Sequence, residues 1–231
     1  GRAPGTDQMT ARALRRDLQS SSDQFPQDVQ ELQFYFDDVQ PGQAVKAIPG
    51  AGLHVPIWIL GSSTYGAQVA AHFGLPYAFA SHFAPEALMQ ALHAYKSLFK
   101  PSAQQAKPHA GIGVNIVAAD TDEEARYLFT THQQHATRMR RNTRGQLPPP
   151  IDDIETFWTP YEKASVTEQL SCSVVGSPET VRRGLQALVD KTGADELIMA
   201  GQIFDHKARL RSFEIAAQAA QDVQVRTALA A

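Results

Sequence analysis

The chain has 231 residues, with Lys+Arg 21 against Asp+Glu 24 and a formal net charge of −3. That balance offers no global positive field to nucleic acid or an anionic membrane, so any ligand is held at a local site. Hydrophobic residues at 43% and charged residues at 19% fit a globular domain with a buried core and argue against disorder. No apolar run approaches the ~20 residues of a membrane-spanning helix, and no signal-peptide core opens the chain. The single cysteine, Cys172, excludes an internal disulfide framework and a multi-cysteine metal site, and agrees with a reducing cytoplasm.

Gly1-Arg2-Ala3-Pro4-Gly5-Thr6-Asp7 reads as a loop from mid-protein, with Asp7 placed to N-cap a helix through Arg16, so the chain is expected to be a fragment. Phe34-Tyr35-Phe36 closes a helix begun near Gln27. Ile57-Trp58-Ile59-Leu60 and Tyr77-Ala78-Phe79-Ala80 read as short buried strands. Between them Ala67–Phe73 is helical in composition and stops at Gly74, a residue suited to the left-handed position after a helix. Pro85 leads an amphipathic helix whose apolar positions, Leu88, Ala91, Leu92, Tyr95, Leu98 and Phe99, are spaced three and four apart. A further strand is expected at 111–117. Thr121 and Glu124 then have capping-box spacing at the head of a helix from about Asp122 to His135.

From Arg138 the sequence turns polar and proline-rich, with Pro148-Pro149-Pro150 in its middle, and little periodicity shows through Ser171. The expectation for 138–171 is an irregular segment, of the kind usually tied to function or mobility. Ser177-Pro178-Glu179 opens a helix with Val181, Leu185, Leu188 and Val189 on one face. Gly193 ends it, and Glu196–Ala200 is the last strand. Strands alternating with helices define an α/β fold with a parallel sheet and right-handed crossovers.

Gly61-Ser62-Ser63-Thr64-Tyr65-Gly66 sits where a strand hands over to a helix. Free backbone N–H groups, the hydroxyls of Ser62, Ser63 and Thr64, and two glycines that permit close approach suit a bound anion. The same residues also read as a Ser/Thr-capped helix start without a ligand. His132 and His135, three apart on one helix, suggest no metal site because no third ligand is evident. Arg138, Arg140, Arg141 and Arg144 form a basic cluster that reads first as a solvated helix end.

At this motif the sequence resembles a known family. Ile57 to Pro85, reading IWILGSSTYGAQVAAHFGLPYAFASHFAP, resembles the bacterial luciferase-like flavin monooxygenases, as do the Gly1–Asp7 segment and the stretches Val175–Glu179 and Gly193–Leu197. The resemblance implies a (β/α)8 TIM-barrel type in which residues 1–231 form a single domain of later strands and their helices, since members begin roughly a hundred residues earlier and a barrel needs eight strands. It implies an oxidoreductase using reduced FMN and O2, or coenzyme F420 in some branches, on a small organic substrate. It places flavin contacts at Arg2, Ser62, Ser63, Thr64, Tyr65 and Gly66 near the phosphate, and at Ser81 and His82 near the ring. Residues 138–171 correspond to an active-site loop, and catalytic groups would lie in strands before Gly1. A homodimer and a separate flavin reductase are partners the resemblance allows. Two other readings stay open: a non-catalytic flavin-binding protein of the same fold, and a phosphate-ligand barrel enzyme without flavin.

Overall fold

A computed structural model describes residues 24–143 and 145–224. Helix α1 (Phe25–Phe36) is the helix read around Phe34–Phe36. Strand β1 (Ile59–Gly61), helix α2 (Thr64–Phe73) and strand β2 (Tyr77–Phe79) form the first strand–helix–strand unit. Gly74 ends α2 at φ 63°, where any side chain would also strike the Lys100 carbonyl, so the stop is both conformational and steric. Helix α3 (Leu88–Leu98) and the nine-residue strand β3 (Ala110–Ala118) follow. Helix α4 (Asp122–Arg140) is capped by Thr121, whose hydroxyl accepts from Glu124 N, and it runs five residues past the expected end at His135.

Helix α5 (Pro160–Gln169), which starts with a complete Thr159/Glu162 capping box, corrects the expectation of an irregular 138–171. Strand β4 (Ser173–Gly176), just beyond that segment, is an element the sequence reading did not contain. Only Val166 of α5 is buried, so the helix carries almost no apolar stripe to betray it. Polar contacts hold it instead. Arg141 makes a two-pronged contact with Glu162 at 2.7 and 2.9 Å and lies over the Phe157 ring, while Arg140 reaches Gln169 and the Ser165 carbonyl. Helix α6 (Pro178–Thr192), strand β5 (Glu196–Ala200) and helix α7 (His206–Gln221) complete the described chain.

All five strands are parallel. The order runs β1, β2, β3, with Ile59 beside Tyr77 and Tyr77 beside Ala110. Gly111 is partnered by both Ala78 and Glu196, and Asn115 by both Ser173 and Ala200. Hence β5 lies along one edge of β3, while β2 and β4 share the other, one after the other. Strand β3 is three times as long as β2, and β4 takes up its hydrogen bonds where β2 stops. Because β4 returns to the β2 side, a right-handed connection must carry α4 over the opposite face from the other helices. The packing agrees: Val117 meets Ala125 and Leu128 of α4, whereas Val114, Ile116 and Ala118 belong to the cluster that includes Leu185 of α6 and Ile215 of α7.

Alternation along the strands sorts large from small side chains. Tyr77, Phe79, Ile112 and Val114 point to the helices and are buried with Leu75, Leu92 and Tyr95. The other face carries Trp58, Leu60, Ala78, Ala80, Gly111, Gly113, Asn115 and Ile198 in register. Among the described residues β1 pairs only with β2 and β5 only with β3, and Leu60 and Ile198 are 53% and 52% exposed. The sheet is therefore a section of barrel wall with helices outside. No helix among the described residues is long and apolar enough to cross a membrane.

Candidate active site

The carboxyl ends of β1, β2 and β3 define one rim of the sheet, which is where α/β folds place their ligands. At β1 the chain leaves Gly61, turns through Ser62 and Ser63, and enters α2. Gly61 and Gly66 face each other so closely that a Cβ on Gly66 would sit 3.4 Å from the Gly61 Cα. That contact lets the first turn of α2 lie directly over the strand end. Ser63 occupies the N-cap position in extended geometry, yet its side chain makes no capping hydrogen bond. The Ser63 hydroxyl is thus not spent on capping α2, whose dipole turns its positive end toward this strand end. Ser62 and Ser63 are exposed, Thr64 and Tyr65 half-buried, and Gly66 buried.

A residue the sequence gave no reason to single out holds this turn. The Tyr77 hydroxyl, at the start of the neighbouring strand, donates to the Ser63 carbonyl at 3.1 Å while the ring is fully buried. Burial raises the Tyr77 pKa well above the ordinary phenol value, so the group remains a donor. In the sequence Tyr77 is one more aromatic strand residue, and only the fold brings it under residue 63.

At the end of β2 the backbone is tied to both neighbours. Ala80 N donates to the Gly61 carbonyl at 2.9 Å, and the Ser81 hydroxyl donates to the Gly113 carbonyl at 2.6 Å. Ser81 is fully buried and its hydroxyl is already engaged, so its contribution is to fix the bend that aims His82. The His82 ring lies over Gly113: a Cβ there would fall 2.1 Å from Nδ1. Asn115 donates to the His82 carbonyl and locks the turn from the next strand. The His82 Nδ1 is buried without a hydrogen-bond partner, and burial lowers its pKa, which favours the neutral ring. The small residues Ala78, Ala80, Gly111 and Gly113 are all buried, Gly113 beneath the His82 ring and Gly111 beneath Trp58.

Helix α4 closes the site from above the sheet. Its buried residues are polar as well as apolar, with Thr130, Thr131, His132, Gln134 and Thr137 inside beside Ala125, Leu128 and Ala136. His132 is 5% exposed, and burial, reinforced by His135 and His82, lowers its pKa to about 4. Among the described residues no group of three or more His, Cys, Asp or Glu side chains could hold a metal ion. Arg138, Arg140 and Arg141 are engaged at Phe157 and along α5. Cys172 is buried, and desolvation raises its thiol pKa. Arg2 and the Gly1–Asp7 segment lie outside the described residues, as does Arg144.

A section of parallel sheet with helices packed along it is the wall of an α/β barrel. Residues 14–196 match the model of the luciferase-like monooxygenase family, and the chain belongs to that family. It is 53% identical over 216 residues to a luciferase-like monooxygenase of Escherichia coli K12, an alignment covering 94% of this chain and 64% of the relative. It is 49% identical to the uncharacterized protein YvbT of Bacillus subtilis, covering 94% and 65%. The crystal structure of apo-MsnO8 superposes with a TM-score of 0.83 at 32% identity, covering 97% of this chain and 68% of that one. The chain thus spans a little under two thirds of the length of the curated relatives it matches first.

Proposed function

We propose that this chain is the flavin-holding part of a luciferase-like monooxygenase that uses reduced FMN and O2 on a small organic substrate in the cytoplasm. One observation carries the reading: in a member of this family, the helix that starts at the Gly61–Gly66 turn receives no capping hydrogen bond from the Ser63 side chain, which leaves that hydroxyl at the helix N-terminus for a ligand. FMN has a dianionic phosphate of the kind a helix N-terminus holds. Ser62, Ser63, Thr64 and the Tyr65–Gly66 turn would hold the phosphate, with Arg2 as a further donor. Ser81 and His82 would set the ring's position. When bound, the reduced flavin supplies the electrons that activate O2, and the protein's share is binding, orientation and exclusion of water.

The chain's own residues account for that share. Gly61 and Gly66 let the phosphate approach the helix start, Tyr77 holds the Ser63 backbone in place, and the Ser81 and Asn115 bonds set the angle of His82. The α4–α5 segment, folded over the sheet face, would shield the ring from solvent and line the substrate's approach. A homodimer and a separate reductase delivering reduced flavin fit this arrangement as partners.

Fluorescence titration of the full-length protein tests the reading. FMN should bind at tens of micromolar or tighter, and coenzyme F420 titrated in parallel separates the family's two cofactors. Ser63→Ala should weaken FMN by about ten- to a hundredfold, the loss of one hydrogen bond to a charged group. The melting temperature should barely move, because the Ser63 side chain caps nothing. Unchanged FMN affinity in this variant would retire the phosphate assignment. Tight flavin binding without substrate-dependent O2 consumption would favour a non-catalytic flavin protein, and a retained sugar phosphate without flavin a different barrel enzyme.

A further inference from the structure

Helices α4 and α5 are fastened to the rest of the molecule less firmly than the other elements. The main apolar cluster takes residues from all five strands and from α1, α2, α3, α6 and α7, but none from α4 or α5. Helix α4 meets the sheet through a small cluster of its own, Ala125 and Leu128 against Val117 and Ile203, and α4 and α5 share another around Trp158 and Val166. Units joined to a core by few apolar contacts are the ones that open separately. The chain leaves for this pair of helices and returns from it at one place: Ala118 of β3 pairs with Gly176 of β4, and Ala119 N donates to the Gly176 carbonyl at 3.2 Å. Whatever ties Asp122 to Ser177 therefore closes the base of the whole excursion.

That tie is a carboxylate. Asp122, in the first turn of α4, accepts from Ser177 N at 2.6 Å and from the Thr180 hydroxyl at 3.2 Å, both at the start of α6. The Ser177 side chain does not cap its own helix; its hydroxyl donates to that of Thr180 at 3.3 Å and so backs the second bond. Helix α6 thus has a negative charge from another element at its positive end. The Ser177 amide, with the two hydroxyls behind it, holds the Asp122 carboxyl below the usual carboxylate range, so the group is charged at neutral pH. Gly176 makes the room, since a Cβ there would lie 2.7 Å from Asp122 Oδ1 and 2.5 Å from Thr180 Cγ2. We propose that Asp122 is a latch: its carboxylate acts as the bound anion of the α6 N-terminus and fixes α4, with α5, over the sheet, so that breaking this one tie frees the two helices to open as a unit. Because α4 closes the site from above the sheet, the latch sets how that site is covered. The inference concerns the cover and does not depend on which cofactor lies beneath it.

Hydrogen exchange on the full-length protein, followed peptide by peptide, tests the latch. Asp122→Ala removes the charge and both bonds while keeping a good helix former at the start of α4. Exchange in α4 and α5 should rise about ten- to a hundredfold, the loss of a hydrogen bond to a charged group, while β2 and β3 exchange as in wild type. Formate at about 0.1 M should restore much of the protection by taking the carboxylate's place, and chloride at the same ionic strength should not. Thr180→Val removes one of the two bonds, leaves the charge in place and should give a smaller rise in the same helices; it carries the test if Asp122→Ala does not fold. Wild-type exchange in α4 for both variants, a rise of equal size in β3, or an Asp122→Ala protein that formate protects no better than chloride overturns the proposal.

Discussion

Ser63 and Tyr77 make opposite demands on one turn, and their variants should separate binding from folding. Tyr77→Phe keeps the buried ring and deletes the single hydroxyl that reaches the Ser63 carbonyl. It should cost about 1 kcal/mol of stability, the usual value for one internal hydrogen bond, and weaken FMN only severalfold because the backbone amides of α2 remain. Urea melts and FMN titrations on the same samples check this, and a Tyr77→Phe protein as stable as wild type would show that the turn is held by the glycine contact alone. His132 gives a different signal. Its pKa is pushed down to about 4 by burial and by the neighbouring His135 and His82, so below pH ~6.5 the unfolded chain takes up a proton that the folded chain refuses. Stability is therefore flat above pH ~6.5 and falls toward pH 4 by up to ~1.4 kcal/mol per unit, about 3 kcal/mol in all. His82, shifted the same way, adds to this slope. Carboxylates held low by their partners, such as Asp122 and Glu162, begin to lose their contribution as pH falls below about 5, so the His132 slope is read between about pH 5 and 6.5. Urea melts from pH 4 to 8 should show a slope that His132→Leu largely removes; equal slopes in both proteins would mean that His132 is solvated.

At the level of elements, what could be read from the sequence followed how each one gains its stability. Strands at 77–79, 110–118 and 196–200 were legible because they are short apolar runs bounded by glycine, proline or polar turns. Helix α6 was legible because Val181, Leu185 and Val189 recur on one face. Helix α5 was not, since its place is set by Arg141, Arg140 and Phe157 rather than by an apolar stripe, and periodicity has nothing to register in such a case. Strand β4 was missed because Ser173 and Gly176 leave only Val174 and Val175 as an apolar run. The candidate site divides in the same way. The phosphate turn is contiguous in sequence, so Gly61–Gly66 announced itself through its glycines and hydroxyls. The Tyr77 tether and the seat of His82 on Gly113 exist only once β1, β2 and β3 pair, and the approach of α4 only once the crossover to β4 has sent it to the opposite face. Gly113 read as an ordinary strand residue until the imidazole above it supplied the reason for having no side chain.

For the whole molecule, the governing fact is that, among the described residues, β1 and β5 each keep one unpaired edge and the sheet face beside them is not covered by α4. Leu60 on β1 and Ile198 on β5 are more than half exposed, and Trp58 is 38% exposed on the same face. Edge strands with free N–H and C=O groups next to apolar surface are templates for association. About a third of the Escherichia coli relative's length lies outside the alignment, and in a closed barrel Leu60 and Ile198 would face the interior. The same substitution should therefore act with opposite sign in the two contexts. In the 231-residue chain alone, Leu60→Lys should raise solubility and reduce self-association and hydrophobic-dye binding, because it places a charge on an exposed apolar face. In the full-length protein it should lower stability by at least about 2 kcal/mol, because the charge is then buried without a partner. Sedimentation and dye binding on the chain, with urea melts on the full-length protein, read the two effects independently. If Leu60→Lys leaves the full-length protein as stable as wild type, the added length does not close over β1, and the barrel wall ends there in the whole protein as well.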